Sequence, residues 1–115
     1  MKSLVCSLAL LCCIVGSAFA EDPAEPAPRT KEYSWMSVAT WNARHEQYLK
    51  RAKEGKCDLL FLGDSITEGW GNNETWKKRY APRNAVNFGI GGDTTQNVLW
   101  RITNGELEGL QPKAM

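Results

Sequence analysis

Four apolar residues in a row, Leu59-Leu60-Phe61-Leu62, run straight into Gly63-Asp64-Ser65. A short unbroken apolar run that stops at a turn suits a strand covered on both faces, as in a parallel sheet. Gly63 lets the backbone turn sharply, so Asp64 and Ser65 become the first groups past the strand. In open α/β sheets, chemistry collects at the carboxyl ends of the strands. Ser65 is therefore a candidate nucleophile.

The flanking pattern agrees with an α/β chain. Val38, Trp41, His45, Tyr48, Leu49 and Ala52 recur at helical spacing, while Arg44, Glu46, Lys50, Arg51 and Lys53 point elsewhere. Ser37 can cap this helix and Gly55 can end it. Past the serine turn, Gly69-Trp70-Gly71-Asn72-Asn73 reads as a loop, and Glu74 to Tyr80 as a short helix stopped by Pro82. Ala85-Val86-Asn87-Phe88 reads as a second strand. It enters the glycine-rich turn Gly89-Ile90-Gly91-Gly92-Asp93-Thr94. A helix follows from Thr95 to about Asn104, with Val98, Leu99 and Ile102 as its apolar stripe, Asp93 or Thr94 as its cap and Gly105 at its end. Helix, strand, turn, helix, strand, turn, helix predicts an α/β fold with a parallel sheet.

The first 20 of the 115 residues read differently. Lys2, the apolar run Leu4 to Val15 and Ala18-Phe19-Ala20 have the three-part layout of a cleavable signal peptide. The run is too short for a comfortable membrane span of about 20 residues. Cleavage after Ala20 implies an exported protein, periplasmic or secreted, with no stable membrane insertion. Ala9-Leu10-Leu11 before Cys12 lacks the small residue that a lipoprotein site needs. Cys6, Cys12 and Cys13 leave with the signal, so Cys57 has no partner for an internal disulfide. Lys2 leaves too, which cancels the formal net charge of +1. A neutral chain gives no electrostatic case for binding nucleic acid or an anionic membrane. Residues 21–32, with Pro23, Pro26 and Pro28, read as an extended, solvated linker. The folded portion is expected over 33–115.

Other residues can be weighed for chemistry. His45 is the sole histidine, yet it sits on the apolar face of a helix ahead of the first strand. That suits a packed histidine better than a catalytic base. Asn73-Glu74-Thr75 is a glycosylation sequon, relevant only in a eukaryotic secretory pathway. The glycine turn fails the dinucleotide fingerprint, because Thr94 stands where the last glycine belongs, and no Gly-Lys-Ser/Thr follows. What remains is a cluster of backbone N–H groups after a strand. Such a cluster can stabilise an oxyanion, or be a turn with no ligand.

Two blocks together carry a family resemblance. Gly63-Asp64-Ser65-Ile66-Thr67 resembles the first motif of the GDSL, or SGNH, hydrolases. Asn87-Phe88-Gly89-Ile90-Gly91-Gly92-Asp93-Thr94-Thr95, with Val98-Leu99-Trp100-Arg101 and Asn104-Gly105-Glu106-Leu107, resembles their second. In wording it is most similar to the catalytic subunits of the platelet-activating-factor acetylhydrolases and their bacterial relatives. The resemblance implies the amino-terminal part of a three-layer α/β/α fold. It also implies Ser65 as nucleophile, with the N–H groups of Ser65 and Gly92 as oxyanion donors. Gly92 suits that task, because the absence of a side chain lets substrate reach the backbone. Gly63, Asp64 and Asp93 would support the turns. No metal or organic cofactor is implied. The reaction implied is hydrolysis of a carboxylic ester of a small molecule or carbohydrate, and the export signal points to extracellular esters, such as acetylated sugars, more than to a cytosolic lipid.

The family's third block, a Gly-x-Asn turn, and its last, an Asp-x-x-His, do not occur in these residues. Asn104-Gly105 has the wrong order, and His45 precedes the serine. The expectation is an amino-terminal fragment of a longer enzyme, inactive by itself, with a third strand starting near Pro112. A two-stranded sheet leaves open edges and buries little, so the fragment alone should be marginally folded. The alternative is a non-catalytic ligand- or carbohydrate-binding relic. Trp70 and Trp76 lie near the serine in sequence, and Trp76 suits core packing better than a substrate wall.

Overall fold

The computed structural model describes residues 22–115. The expected signal peptide therefore lies outside the described residues. Among the described residues, no helix is long and apolar enough to cross a membrane.

Helix α1 spans Val38–Lys53. The Ser37 hydroxyl accepts the Thr40 N–H at 3.0 Å and so satisfies one donor of the first turn. Lys50, Arg51 and Lys53 sit in the last turn, where the helix dipole favours cations. Trp41, His45 and Ala52 are buried, as the helical spacing predicts. Arg44, off the apolar face as expected, forms an ion pair with Glu68.

Strand β1 is Leu59–Gly63 and strand β2 is Ala85–Gly89. They pair in parallel, with Leu59 opposite Ala85 and Gly63 opposite Gly89. Leu60 is buried among Ala52, Cys57, Val86, Phe88 and Leu110. Phe61 faces the other way and meets the rings of Trp76 and Tyr80 edge-on at 5.2 and 5.4 Å. Both faces of β1 are thus engaged, but only Leu60 of the strand is fully buried. On its outer edge, Leu60 N–H donates to the Ala114 carbonyl at 3.0 Å and Lys113 N–H to the Asp58 carbonyl at 2.8 Å. Leu59 and Ala114 form a parallel bridge, which is where the sequence placed the start of a third strand.

A six-residue helix, α2, spans Ser65–Trp70 where the sequence suggested a turn and a loop. It buries no residue of its own, so it leaves no apolar stripe to read. The helix expected over Glu74 to Tyr80 is a wider π-helical turn, Trp76–Tyr80, followed by a tight turn at Ala81–Arg83. Trp76 is buried beside Phe61, in the core role expected for it.

Helix α3, Thr95–Arg101, begins with a capping box between Thr94 and Asn97. Its expected apolar stripe is only half-buried, and the buried residues are Asn97 and Arg101. Both are admitted because both are paired: Asn97 Nδ2 donates to the Ala27 carbonyl, and Arg101 meets two carboxylates. The chain then widens through Ile102–Glu106 and breaks from helical geometry at Asn104 and Gly105.

The segment 21–32 departs from a solvated spacer in its second half. Residues 22–26 are exposed, but Arg29 is only 4% exposed. Its Nη2 donates to the Gly91 carbonyl at 2.7 Å and to Asp93 Oδ1 at 2.9 Å. Ala27 N–H also donates to the Gln96 carbonyl at 3.1 Å. Proline and alanine content describes the chain's stiffness; it does not register one arginine with a buried partner.

Candidate active site

Parallel pairing brings the two motif turns side by side. Because Gly63 and Gly89 share a register position, the residues after each leave the same edge of the sheet. Ile90 N–H donates to the Gly63 carbonyl at 3.1 Å and extends the ladder one step into the glycine turn. Ser65 lies two residues past one strand and Gly92 three past the other.

Several bonds fix the serine turn. Asp64 caps α2, its Oδ1 accepting the Ile66 N–H at 3.0 Å. Thr67 packs so closely under Gly63 that a Cβ there would lie 2.2 Å from Thr67 Oγ1. Asn87, in the middle of β2, donates through Nδ2 to the Thr67 carbonyl at 2.6 Å and accepts the Gly89 N–H at 2.9 Å. Its side chain therefore ties α2 to the end of β2. Gly89 approaches α2 closely too: a Cβ on it would stand 2.3 Å from the Glu68 nitrogen. Ser65 is the exposed first residue of α2. Among the described residues its hydroxyl has no hydrogen-bond partner, and its backbone N–H, like that of Gly92, has no acceptor.

The glycine turn is anchored from beneath by Asp93. Its carboxylate is fully enclosed and accepts from Arg29 Nη2 at 2.9 Å, Trp41 Nε1 at 2.7 Å and Arg101 Nε at 2.9 Å. Arg101 also donates to the Phe88 carbonyl at 3.0 Å and pairs with Glu106, itself fully buried. Glu106 in turn bonds His45 Nδ1 at 2.7 Å. Burial pushes the carboxyls of Asp93 and Glu106 above their ordinary range, while Arg101 acts most strongly in the opposite direction. His45 packs against the rings of Trp41 and Trp100, which also meet each other. It is a packed residue of this network, as its helical position suggested, and Glu106, not Ser65, is its partner.

Gly92 has φ +74°, in the left-handed region where a side chain is strained. The sequence suggested that its missing side chain opens the backbone to substrate. Instead, the space a Cβ would take is already claimed, 2.8 Å from the Trp35 ring and 3.2 Å from Arg29 Nη2. Trp35 stacks on Tyr33 with centroids 4.9 Å apart and remains 60% exposed. Trp70, also exposed, meets Tyr80 edge-on at 6.1 Å.

Sequence reasoning missed two groups here. The buried pairing of Arg29, Arg101 and Glu106 around Asp93 looks in sequence like ordinary surface charge. Glu68 carries no signal in the sequence, yet its Oε2 accepts the Gly91 N–H at 2.8 Å and its Oε1 pairs with Arg44. The one available signal was that Arg101 and Glu106 fall inside the second motif block. Among the described residues, no cluster of His, Cys, Asp and Glu side chains is arranged to hold a metal ion.

A parallel α/β unit with a serine and a glycine-rich turn at the same strand edge defines the class. Its homologues include platelet-activating factor acetylhydrolase IB subunit alpha2 of Homo sapiens, 44% identical over 75 residues, and that of Gallus gallus, 43% identical over 75 residues. The alpha1 subunit of Rattus norvegicus is 42% identical over 73 residues. These matches take in about 65% of this chain, and the chain spans about a third of the length of the relatives. No family model matches the chain.

Proposed function

We propose that these residues form the nucleophile half of a serine ester hydrolase, a GDSL-type acylhydrolase working through an acyl-serine intermediate. The observation that carries this reading is the shared strand edge. An exposed hydroxyl at the start of α2 lies at the same strand edge as a glycine-rich turn, and both turns offer an unpaired backbone N–H. Ester hydrolysis needs a nucleophile and preorganised donors for the negative charge that develops on the carbonyl oxygen. In this mechanism Ser65 Oγ attacks the ester carbonyl and passes its proton to a histidine supplied by a part of the protein beyond these residues. The N–H groups of Ser65 and Gly92 hold the oxyanion. The tetrahedral species expels the alcohol, which takes the proton from that histidine. Water, deprotonated by the same histidine, then releases the acid and restores Ser65.

The homologues' names point to acetyl esters. For this chain we propose an acetylated carbohydrate or a similar small ester, met outside the cell after cleavage at Ala20. The exposed rings of Trp35 and Trp70 near the serine and glycine turns offer flat apolar faces that suit a sugar.

The lack of a base for Ser65 among the described residues favours one rival, a ligand-binding relic of the fold. Hydrolysis of p-nitrophenyl acetate by the complete protein separates the two. The hydrolase reading expects turnover that Ser65→Ala abolishes. A folded complete protein with no turnover, whose Ser65→Ala variant binds acetylated sugars as well as the wild type does, would establish the relic.

A further inference from the structure

We infer that Glu68 is a positioning residue for the oxyanion donors, and that Arg44 is there to neutralise it. The inference rests on the reading of Ser65 as nucleophile and Gly92 as donor. Glu68 lies one helical turn after Ser65, on the side of α2 that faces the glycine turn. Its Oε2 accepts the Gly91 N–H at 2.8 Å, so the Gly91 amide is occupied while that of the next residue, Gly92, stays free. A Cβ on Gly91 would lie 2.9 Å from that same oxygen, so the carboxylate is seated in space that only glycine leaves open. Fixing one peptide of a turn limits the orientation of the next, which is how a donor becomes preorganised.

A carboxylate so close to an oxyanion has a cost. Unpaired, it would repel the charge that the reaction develops at the neighbouring N–H groups. Arg44 answers this by pairing with the other oxygen, Oε1. Both side chains keep about a third of their exposure, 35% for Arg44 and 30% for Glu68. As a stability device such a pair is worth little. Its geometry suits a different task, because it joins α1, α2 and the glycine turn at Gly91, the residue before the Gly92 donor.

The test compares Glu68→Ala, Glu68→Gln, Arg44→Ala and the double variant Arg44→Ala/Glu68→Gln in the complete protein, by kcat and KM for ester hydrolysis. Loss of one oxyanion donor costs about 10²–10³ in kcat, and misplacing one should cost less. Glu68→Ala is expected to lower kcat about 10- to 100-fold with KM little changed. Glu68→Gln keeps an acceptor for Gly91 and should stay within about threefold of wild type. Arg44→Ala leaves a bare carboxylate and should lower kcat about tenfold, and adding Glu68→Gln should restore it. A structural ion pair gives no such rescue. If Glu68→Ala fails to fold, the rescue comparison decides. Equal kcat for Arg44→Ala and the double variant, or wild-type kcat for a folded Glu68→Ala, overturns the inference alone. An inactive wild-type protein overturns the nucleophile reading and this inference with it.

Discussion

Gly63 and Gly89 stand opposite each other at the last register position of two parallel strands, and neither has room for a side chain. Helix α2 rests directly on both. Thr67 fills the space over Gly63, and the Glu68 backbone fills the space over Gly89. The serine turn is therefore held by backbone proximity more than by apolar packing.

Substituting Gly89 tests this. A Cβ 2.3 Å from a main-chain nitrogen cannot be absorbed by a rotamer change. Gly89→Ala should destabilise the complete protein by about 1–3 kcal/mol or more. Gly69→Ala is the matched control within α2, where nothing lies within 4 Å of the added carbon. It should be neutral or stabilising by up to about 1 kcal/mol, since alanine favours helix. Urea denaturation of both variants gives the comparison.

Tyr48 reaches from α1 to the same place. Its hydroxyl donates to the Gly89 carbonyl at 2.8 Å, and its ring stacks on Phe88 with centroids 4.5 Å apart. Tyr48→Phe keeps the stack and removes the donor. The expected loss is about 1 kcal/mol, within the usual net range for one hydrogen bond, read from the shift in denaturation midpoint.

Arg101 is the most demanding residue of the buried network. Arg101→Met would leave Asp93 and Glu106 with much less compensation for burial, and should destabilise by about 3–5 kcal/mol at neutral pH. The pH dependence follows from the direction of the shifts. Both carboxyls are pushed up in the folded protein. At these two groups the folded state then binds more protons than the unfolded chain, so their contribution to stability is greatest below the ordinary carboxylate range of about 4 and falls as pH rises through the folded values. Removing Arg101 should extend this decline to higher pH. Denaturation midpoints between about pH 4 and pH 8 should therefore separate the variant from wild type increasingly as pH rises.

Residues 22–115 expressed alone should unfold without a sharp cooperative transition. The sheet has two strands, and only Leu60 of β1 is fully buried. Thermal melting followed by near-ultraviolet circular dichroism is the measurement. A steep single transition would show that so small a core suffices.

Much of the arrangement was legible in the residues because local signals agreed. The apolar run and Gly63 mark β1, Ser37 marks the start of α1, and Thr94 marks the start of α3. What stayed hidden depends on distant partners. Helix α2 buries no residue, so hydrophobic periodicity is silent about it. Arg29 and Arg44 look like solvated charges until Asp93 and Glu68, far away in sequence, are placed beside them. The space next to Gly92 looked open because no local signal brings Trp35 to it. Charge pairing and aromatic cover over long separations are tertiary facts, and a single sequence does not encode their register.

The central claim is that Ser65 is a nucleophile beside preorganised N–H donors. The most direct measurement is reaction of the complete, folded protein with a fluorophosphonate, followed by mass spectrometry of its peptides. The expected result is a single adduct on Ser65, with no labelling after Ser65→Ala. Failure to label under conditions where another serine esterase reacts fully, or an adduct on a different residue, would contradict it.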